Sequence, residues 1–124
     1  MENKLKLLIA DDEMDITELL KGFLSSHGYE CEAVTNGKDA LNKIKQNKYD
    51  LVLLDVMMPY IDGYHVAYEI TNQIENPPHI IIMTSRDIQF EKNIAKMSGA
   101  AEIIQKPFNL DDMLKLIKKI TENK

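Results

Sequence analysis

A single cysteine, Cys31, rules out an internal disulfide, and with three scattered histidines it cannot build a zinc cluster. No apolar run approaches the roughly 20 residues needed to span a bilayer. The start, Met1-Glu2-Asn3-Lys4, lacks the apolar core of a signal peptide. A soluble, cytosolic protein is expected. Arginine is scarce as well: Arg86 stands alone among fifteen basic residues, against twenty acidic ones, for a net charge of -5. That balance lacks the basic stripe with which a nucleic-acid-binding face neutralises phosphates. Linkers, low-complexity tracts and sequence repeats are missing too.

What is present suffices for one domain over residues 1–124. Hydrophobic residues make up 44% and charged residues 28%, an ordinary globular mix, and 124 residues can bury a core without a disulfide or structural metal. Five apolar runs read as strands: Leu5–Ala10, Glu30–Val34, Leu51–Leu54, Ile80–Met83 and Glu102–Gln105. The third and fourth are continuously apolar, as central strands covered on both faces would be. Helical patterns separate them. Ile16, Leu20, Phe23 and Leu24 share one face, and Gly28 follows. Asn36 can cap a helix carrying Ala40, Leu41 and Ile44; another follows Asp62-Gly63 with Val66, Ala67 and Ile70. A fourth starts near Asp87, carries Phe90, Ile94 and Met97, and stops at Gly99. The last presents Leu110, Met113, Leu114, Ile117 and Ile120 at helical spacing. Five βα units imply an α/β fold with a parallel sheet and helices on both faces.

Ligands of open α/β sheets bind beyond the carboxyl ends of the strands, at a switch in strand order. Asp11, Asp12 and Glu13 follow the first strand, Asp55 ends the third, Thr84 ends the fourth, and the fifth leads into Lys106-Pro107-Phe108. The second contributes only Thr35-Asn36, as an edge strand would. Crowded carboxylates repel, so this edge calls for a divalent cation, and oxygen ligands without His or Cys favour Mg²⁺. A carboxylate can accept a phosphoryl group once metal and ammonium neutralise the developing charge. Each residue alone has a plainer explanation. The acidic run can simply begin a helix, Thr84 can bond backbone, and Lys106 can be a solvated surface lysine. Asp55 is harder to dismiss, because ending a buried strand on a charge needs a reason.

Asp11-Asp12, Asp55 inside DVMMPYIDG, Thr84 inside MTS and Lys106 inside KPF, in that order, resemble the receiver domain of bacterial two-component response regulators, from about Lys4 to Ile120. The resemblance implies a flavodoxin-like, doubly wound five-stranded sheet of order 2-1-3-4-5 with five helices. It makes Asp55 the phosphorylated residue, with Thr84 and Lys106 contacting the phosphoryl oxygens. Asp12, Asp55 and the Met57 backbone carbonyl would bind Mg²⁺ directly, and Asp11 through water. It implies a histidine kinase or histidine phosphotransfer protein as donor, and a monomer or weak dimer. Met14, Leu19, Pro107 and Phe108 would meet the donor, and the Lys106-Pro107 bond would be cis.

Two features depart from the family pattern. Ile103 stands where the family usually has Tyr or Phe, three residues before the lysine, and it cannot make the usual ring motion. Ala101-Glu102 replaces an acidic pair common in members with a DNA-binding domain, whereas Met57 and Arg86 resemble those members at positions that tune phosphoryl lifetime. The start and the missing linker favour a stand-alone switch, with no enzymatic action on outside substrates. The alternatives are the receiver half of a DNA-binding regulator, an aspartate-nucleophile phosphatase, an FMN carrier and a degenerate receiver. The phosphatase pattern resembles DxD after the first strand, and the FMN carrier needs a Ser/Thr/Gly-rich loop there; neither is present. The intact five-residue site argues against the degenerate receiver. Cys31 reads as small apolar packing, Met57-Met58 as loop and core packing, and Gly63 as a turn or helix start.

Overall fold

Continuous apolar character places the third and fourth strands inside a parallel sheet. In the computed structural model, which describes residues 4–122, the strands are β1 (Lys6–Ala10), β2 (Glu30–Val34), β3 (Leu51–Asp55), β4 (His79–Thr84) and β5 (Glu102–Gln105). Their order is β2-β1-β3-β4-β5, all neighbours parallel. Every residue of β3 is buried, which matches the unbroken LVLL run. The helices are α1 (Met14–Ser26), α2 (Gly37–Gln46), α3 (Gly63–Gln73), α4 (Ile88–Met97) and α5 (Leu110–Glu122). Strand and helix limits differ from the sequence expectations by one or two residues, an ordinary spread at element ends.

Side chains alternate across the sheet, so two cores form. Leu7, Ile9, Leu53 and Met83 pack with Leu20, Leu24, Met113 and Ile117 of α1 and α5, and Cys31 joins them as an apolar residue. Leu8, Val52, Leu54 and Ile82 pack with the buried residues of α2 and α3 and with Ala95 of α4. The chain leaves β1 toward β2 but leaves β3 toward β4. The crevice between β1 and β3 at their carboxyl ends is therefore the switch point.

The fourth helix corrects the sequence reading. Its apolar stripe faces outward: Phe90 is 81%, Ile94 47% and Met97 81% exposed, and Ala95 is its buried hydrophobic residue. The inner face is Ile88, Glu91, Ala95 and Ser98, roughly a third of a turn from the stripe at about 100° per residue. Small Ala95 allows close approach to the sheet. The polar members are satisfied there, Glu91 by the Tyr64 hydroxyl at 2.7 Å and Ser98 by the Ala95 carbonyl at 2.6 Å. A buried polar group with a partner costs little, so periodicity alone did not decide which face turned in.

Candidate functional site

Three carboxylates meet at the switch point because their strands end there in register. Asp11 follows β1, Asp55 closes β3, and Asp12 stands beside them; each offers an oxygen within 4.8 Å of the others. Asp11 is fully buried and Asp55 nearly so, while Asp12 is exposed. Such a set, all oxygen and partly open to water, fits Mg²⁺. Met57 lies two residues beyond Asp55 on the loop after β3.

Lys106 reaches the cluster from the loop after β5, where the Lys106-Pro107 bond is cis. Its Nζ lies 2.6 Å from Asp11 Oδ2, 3.3 Å from Asp55 Oδ1 and 3.5 Å from Glu13 Oε1. The lysine thus bridges two of the carboxylates, and Glu13 joins the set. The other oxygen of Asp11 accepts the Glu13 amide at 2.9 Å. Burial would push the ammonium pKa down, but Asp11 and Asp55 outweigh it and hold it above its ordinary value. Burial first, then the neighbouring Asp11, raises the Asp55 carboxyl to about 6 against the opposing pull of Lys106. Its ionised form therefore costs free energy until a cation arrives.

Thr84 ends β4 next to this set, buried, and its hydroxyl oxygen accepts the Arg86 amide at 3.0 Å. Its own hydrogen can then be donated. The loop after β3 is pinned from below. Gly63 donates to the Val56 carbonyl at 2.9 Å, and a side chain on Gly63 would strike the Asp55 carbonyl oxygen. Glycine is needed here for close approach of α3 to the phospho-acceptor candidate's backbone, a firmer reason than a turn. Met58 packs against the core as expected, but Met57 is exposed and its sulfur meets the Arg86 guanidinium at 3.4 Å. Sequence reasoning missed Glu91 and Tyr64, and it placed Glu13 at this edge without its contact to Lys106. For Glu91 the usable signal was that Ile88, Ala95 and Ser98 share its side of α4.

Between Pro59 and Ile61 the chain makes a tight turn: the Ile61 amide donates to the Pro59 carbonyl at 2.9 Å across Tyr60. Tyr60 has φ 73° and is 82% exposed. A side chain in this region costs about 1–2 kcal/mol, of which glycine's extra unfolded-state freedom would take back about half. Tyr60→Gly is therefore expected to stabilise the protein by about 0.5–1 kcal/mol. Urea unfolding checks this; a lower midpoint with an unchanged slope would show that the exposed ring contributes more than the turn costs.

The profile of the response regulator receiver domain matches residues 7–118. Response regulator GtcR of Aneurinibacillus migulanus is 39% identical over 103 residues, covering 83% of this chain and 42% of the relative. The chain spans about half the length of the curated relatives it matches. Among solved structures, the receiver domain of Francisella response regulator 1452 superposes with a TM-score of 0.91 at 29% identity, covering 97% of this chain and 98% of that one. Thermotoga maritima TrrA, in complex with Mg²⁺ and BeF, gives 0.84 at 37% identity, covering 94% and 98%.

Proposed function

This chain belongs to the response regulator receiver domain family, and from that premise we propose that it is a phosphoryl-accepting switch phosphorylated on Asp55. The observation that carries this reading is the convergence of Asp11, Asp12, Asp55 and Lys106 on one strand edge. With Asp55 Oδ1 against Lys106, Oδ2 is the oxygen we assign to attack on phosphorus. The bond from phosphorus to the donor's leaving atom breaks as the acyl phosphate forms. Lys106, freed from part of its contact with Asp55, holds one phosphoryl oxygen, and the Thr84 hydroxyl donates to another. Mg²⁺, when bound, neutralises charge on the carboxylates and the transferred group. Asp12, Asp55 and the Met57 carbonyl would be the direct ligands in this reading. Asp11 would act through water, which suits a carboxylate already engaged by Lys106 and the Glu13 amide. The chain promotes its own phosphorylation and dephosphorylation and turns over no outside substrate.

The donor in this reading is a phosphohistidine of a kinase or phosphotransfer protein, and both partners work in the cytoplasm. Among the described residues, no helix is long and apolar enough to cross a membrane. Beside Lys106, an apolar groove of about 510 Å³ runs along Ile16, Leu19, Leu20, Pro107, Phe108 and Leu110. Met14 and Leu19 stand exposed at this end of α1, while Phe108 packs partly into the core. Residues 1–124 serve as one receiver unit in this reading. A second reading, the receiver half of a longer DNA-binding regulator, is favoured by the greater length of the curated relatives.

The test compares two donors. Met14→Lys is expected to slow transfer from a phosphorylated kinase several-fold while leaving labelling by acetyl phosphate unchanged. Equal rates with both donors would remove α1 from the docking face. A parent protein that accepts phosphate from neither donor would contradict the switch itself.

A further inference from the structure

Half of the large apolar side chains left in water gather on one face. Among the described residues eight are exposed, and four of them, Tyr68, Phe90, Ile94 and Met97, belong to α3 and α4. Phe90 and Met97 are each 81% exposed, Tyr68 57% and Ile94 47%. On α4 they form one stripe, with Phe90 and Met97 two turns apart and Ile94 between them. Tyr68 continues the stripe on α3. It stands between Tyr64, whose hydroxyl donates to Glu91, and Thr71, whose hydroxyl donates to the Ser98 carbonyl at 3.4 Å. Those two contacts run α3 alongside α4 and set Tyr68 beside the middle of the stripe. The other flank of α4, toward β5, has a different character, for Lys92 and Lys96 line it.

We propose that this α3–α4 face pairs with the same face of a second copy, α4 against α4 and antiparallel, in a closed two-fold dimer. Size, symmetry and charge select that occupant. At about 150–250 Å² for a whole aromatic side chain, the four exposed groups present about 500 Å², most of it apolar. That lies high in the range of about 300–600 Å² for the largest apolar patch of a monomer. A standard interface takes about 800 Å² from each partner, somewhat over half of it apolar, so this patch supplies the whole apolar share. The stripe itself carries no charge, so two copies can face each other without repulsion at its centre. A two-fold axis crossing α4 between Asn93 and Ile94 lays each Phe90 ring against the Met97 sulfur of the other copy, a favourable contact made twice. Asp87 caps the start of α4 and Lys96 lies in its last turn. Antiparallel pairing sets the Asp87 end of one helix toward the Lys96 end of the other and opposes the two helix dipoles, whereas parallel pairing would align like with like. α1 and the donor groove lie on the other side of the sheet from α3 and α4. Pairing therefore leaves them open and needs no phosphate on Asp55.

Sedimentation velocity of the whole, unphosphorylated chain across the micromolar range should show a monomer–dimer equilibrium and no larger species. Phe90→Ser and Met97→Ser should each raise the dissociation constant at least about tenfold. Both positions are exposed, so thermal melts of the dilute monomers should be nearly unchanged. Lys92→Glu, on the other flank of α4, should change the constant less than about twofold. Mixing tests the orientation. Phe90→Glu and Met97→Lys should each be monomeric alone, yet an equimolar mixture of the two should dimerise. Antiparallel pairing brings position 90 of one copy to position 97 of the other, so the opposite charges meet at one end and the parental contact survives at the other. A parent that stays monomeric, as it would if a different protein covers this face, would overturn the proposal. So would open-ended assemblies, dimers that survive Phe90→Ser and Met97→Ser but not Lys92→Glu, or a mixture that stays monomeric.

Discussion

Lys106→Met is expected to cost about 3 kcal/mol of stability at neutral pH without divalent cation, because it leaves a fully buried carboxylate without its cation. Asp11 has Lys106 at 2.6 Å, and Asp55 shares the same ammonium at 3.3 Å. For a domain of this size the melting temperature should fall by roughly 10 °C. The loss is pH-dependent, and its sign follows from Asp55. The folded-state pKa of this carboxyl is raised to about 6, so its ionised form opposes folding. That penalty is absent below its unfolded value near 3.8 and complete above about 6. Removing the ammonium removes the attraction that lowers this pKa, so the penalty grows at pH 7 and is relieved by protonation at lower pH. The deficit of Lys106→Met should therefore be largest at pH 7 to 8 and shrink toward pH 5. Thermal melts across that range decide the matter. A deficit independent of pH would mean that lost packing of the lysine stem, rather than charge, causes the instability.

Asp55→Asn should act in the opposite direction without metal. Holding an ionised carboxylate whose pKa is near 6 costs up to roughly 3 kcal/mol at pH 7. Asn removes that cost but gives up the contact with Lys106, so a net gain of about 1 kcal/mol is expected. The gain should fade toward pH 5, where the parent's Asp55 is largely protonated. Asp12 is exposed, and water screens it, so Asp12→Ala should give a much smaller gain. Mg²⁺ at a hundred times its dissociation constant should stabilise the parent by about 2.7 kcal/mol, and both variants should lose most of that. Melts at matched ionic strength test both halves. If Asp55→Asn melts lower without metal and keeps the full response to Mg²⁺, these carboxylates do not share a cation.

Much of this arrangement was legible in the sequence because it depends on strand ends. A buried LVLL run that stops on Asp55 fixes where that carboxylate emerges, and parallel pairing brings Asp11 and Thr84 to the same edge. The edge position of β2, the core roles of Ala40, Ile44, Val66 and Ile70, and the packing of Cys31 followed from pattern in the same way. What pattern could not supply was direction and pairing. The apolar spacing of α4 identified a face but not which way it pointed, because Glu91 found a partner in Tyr64, distant in sequence. The resemblance makes Lys106 a partner for phosphate, yet before any phosphate arrives it is the counter-charge of Asp11 and Asp55. The Met57–Arg86 contact arises where two loops converge, and no local signal marks it.

The most direct measurement identifies the residue that carries the phosphate. The protein is treated with acetyl phosphate and Mg²⁺, then reduced with borohydride, which converts an aspartyl phosphate to homoserine. Peptide mass spectrometry then locates the change. The account predicts it at Asp55 alone, dependent on Mg²⁺ and absent from Asp55→Asn. Modification at another residue, or a label that persists in Asp55→Asn, would contradict it.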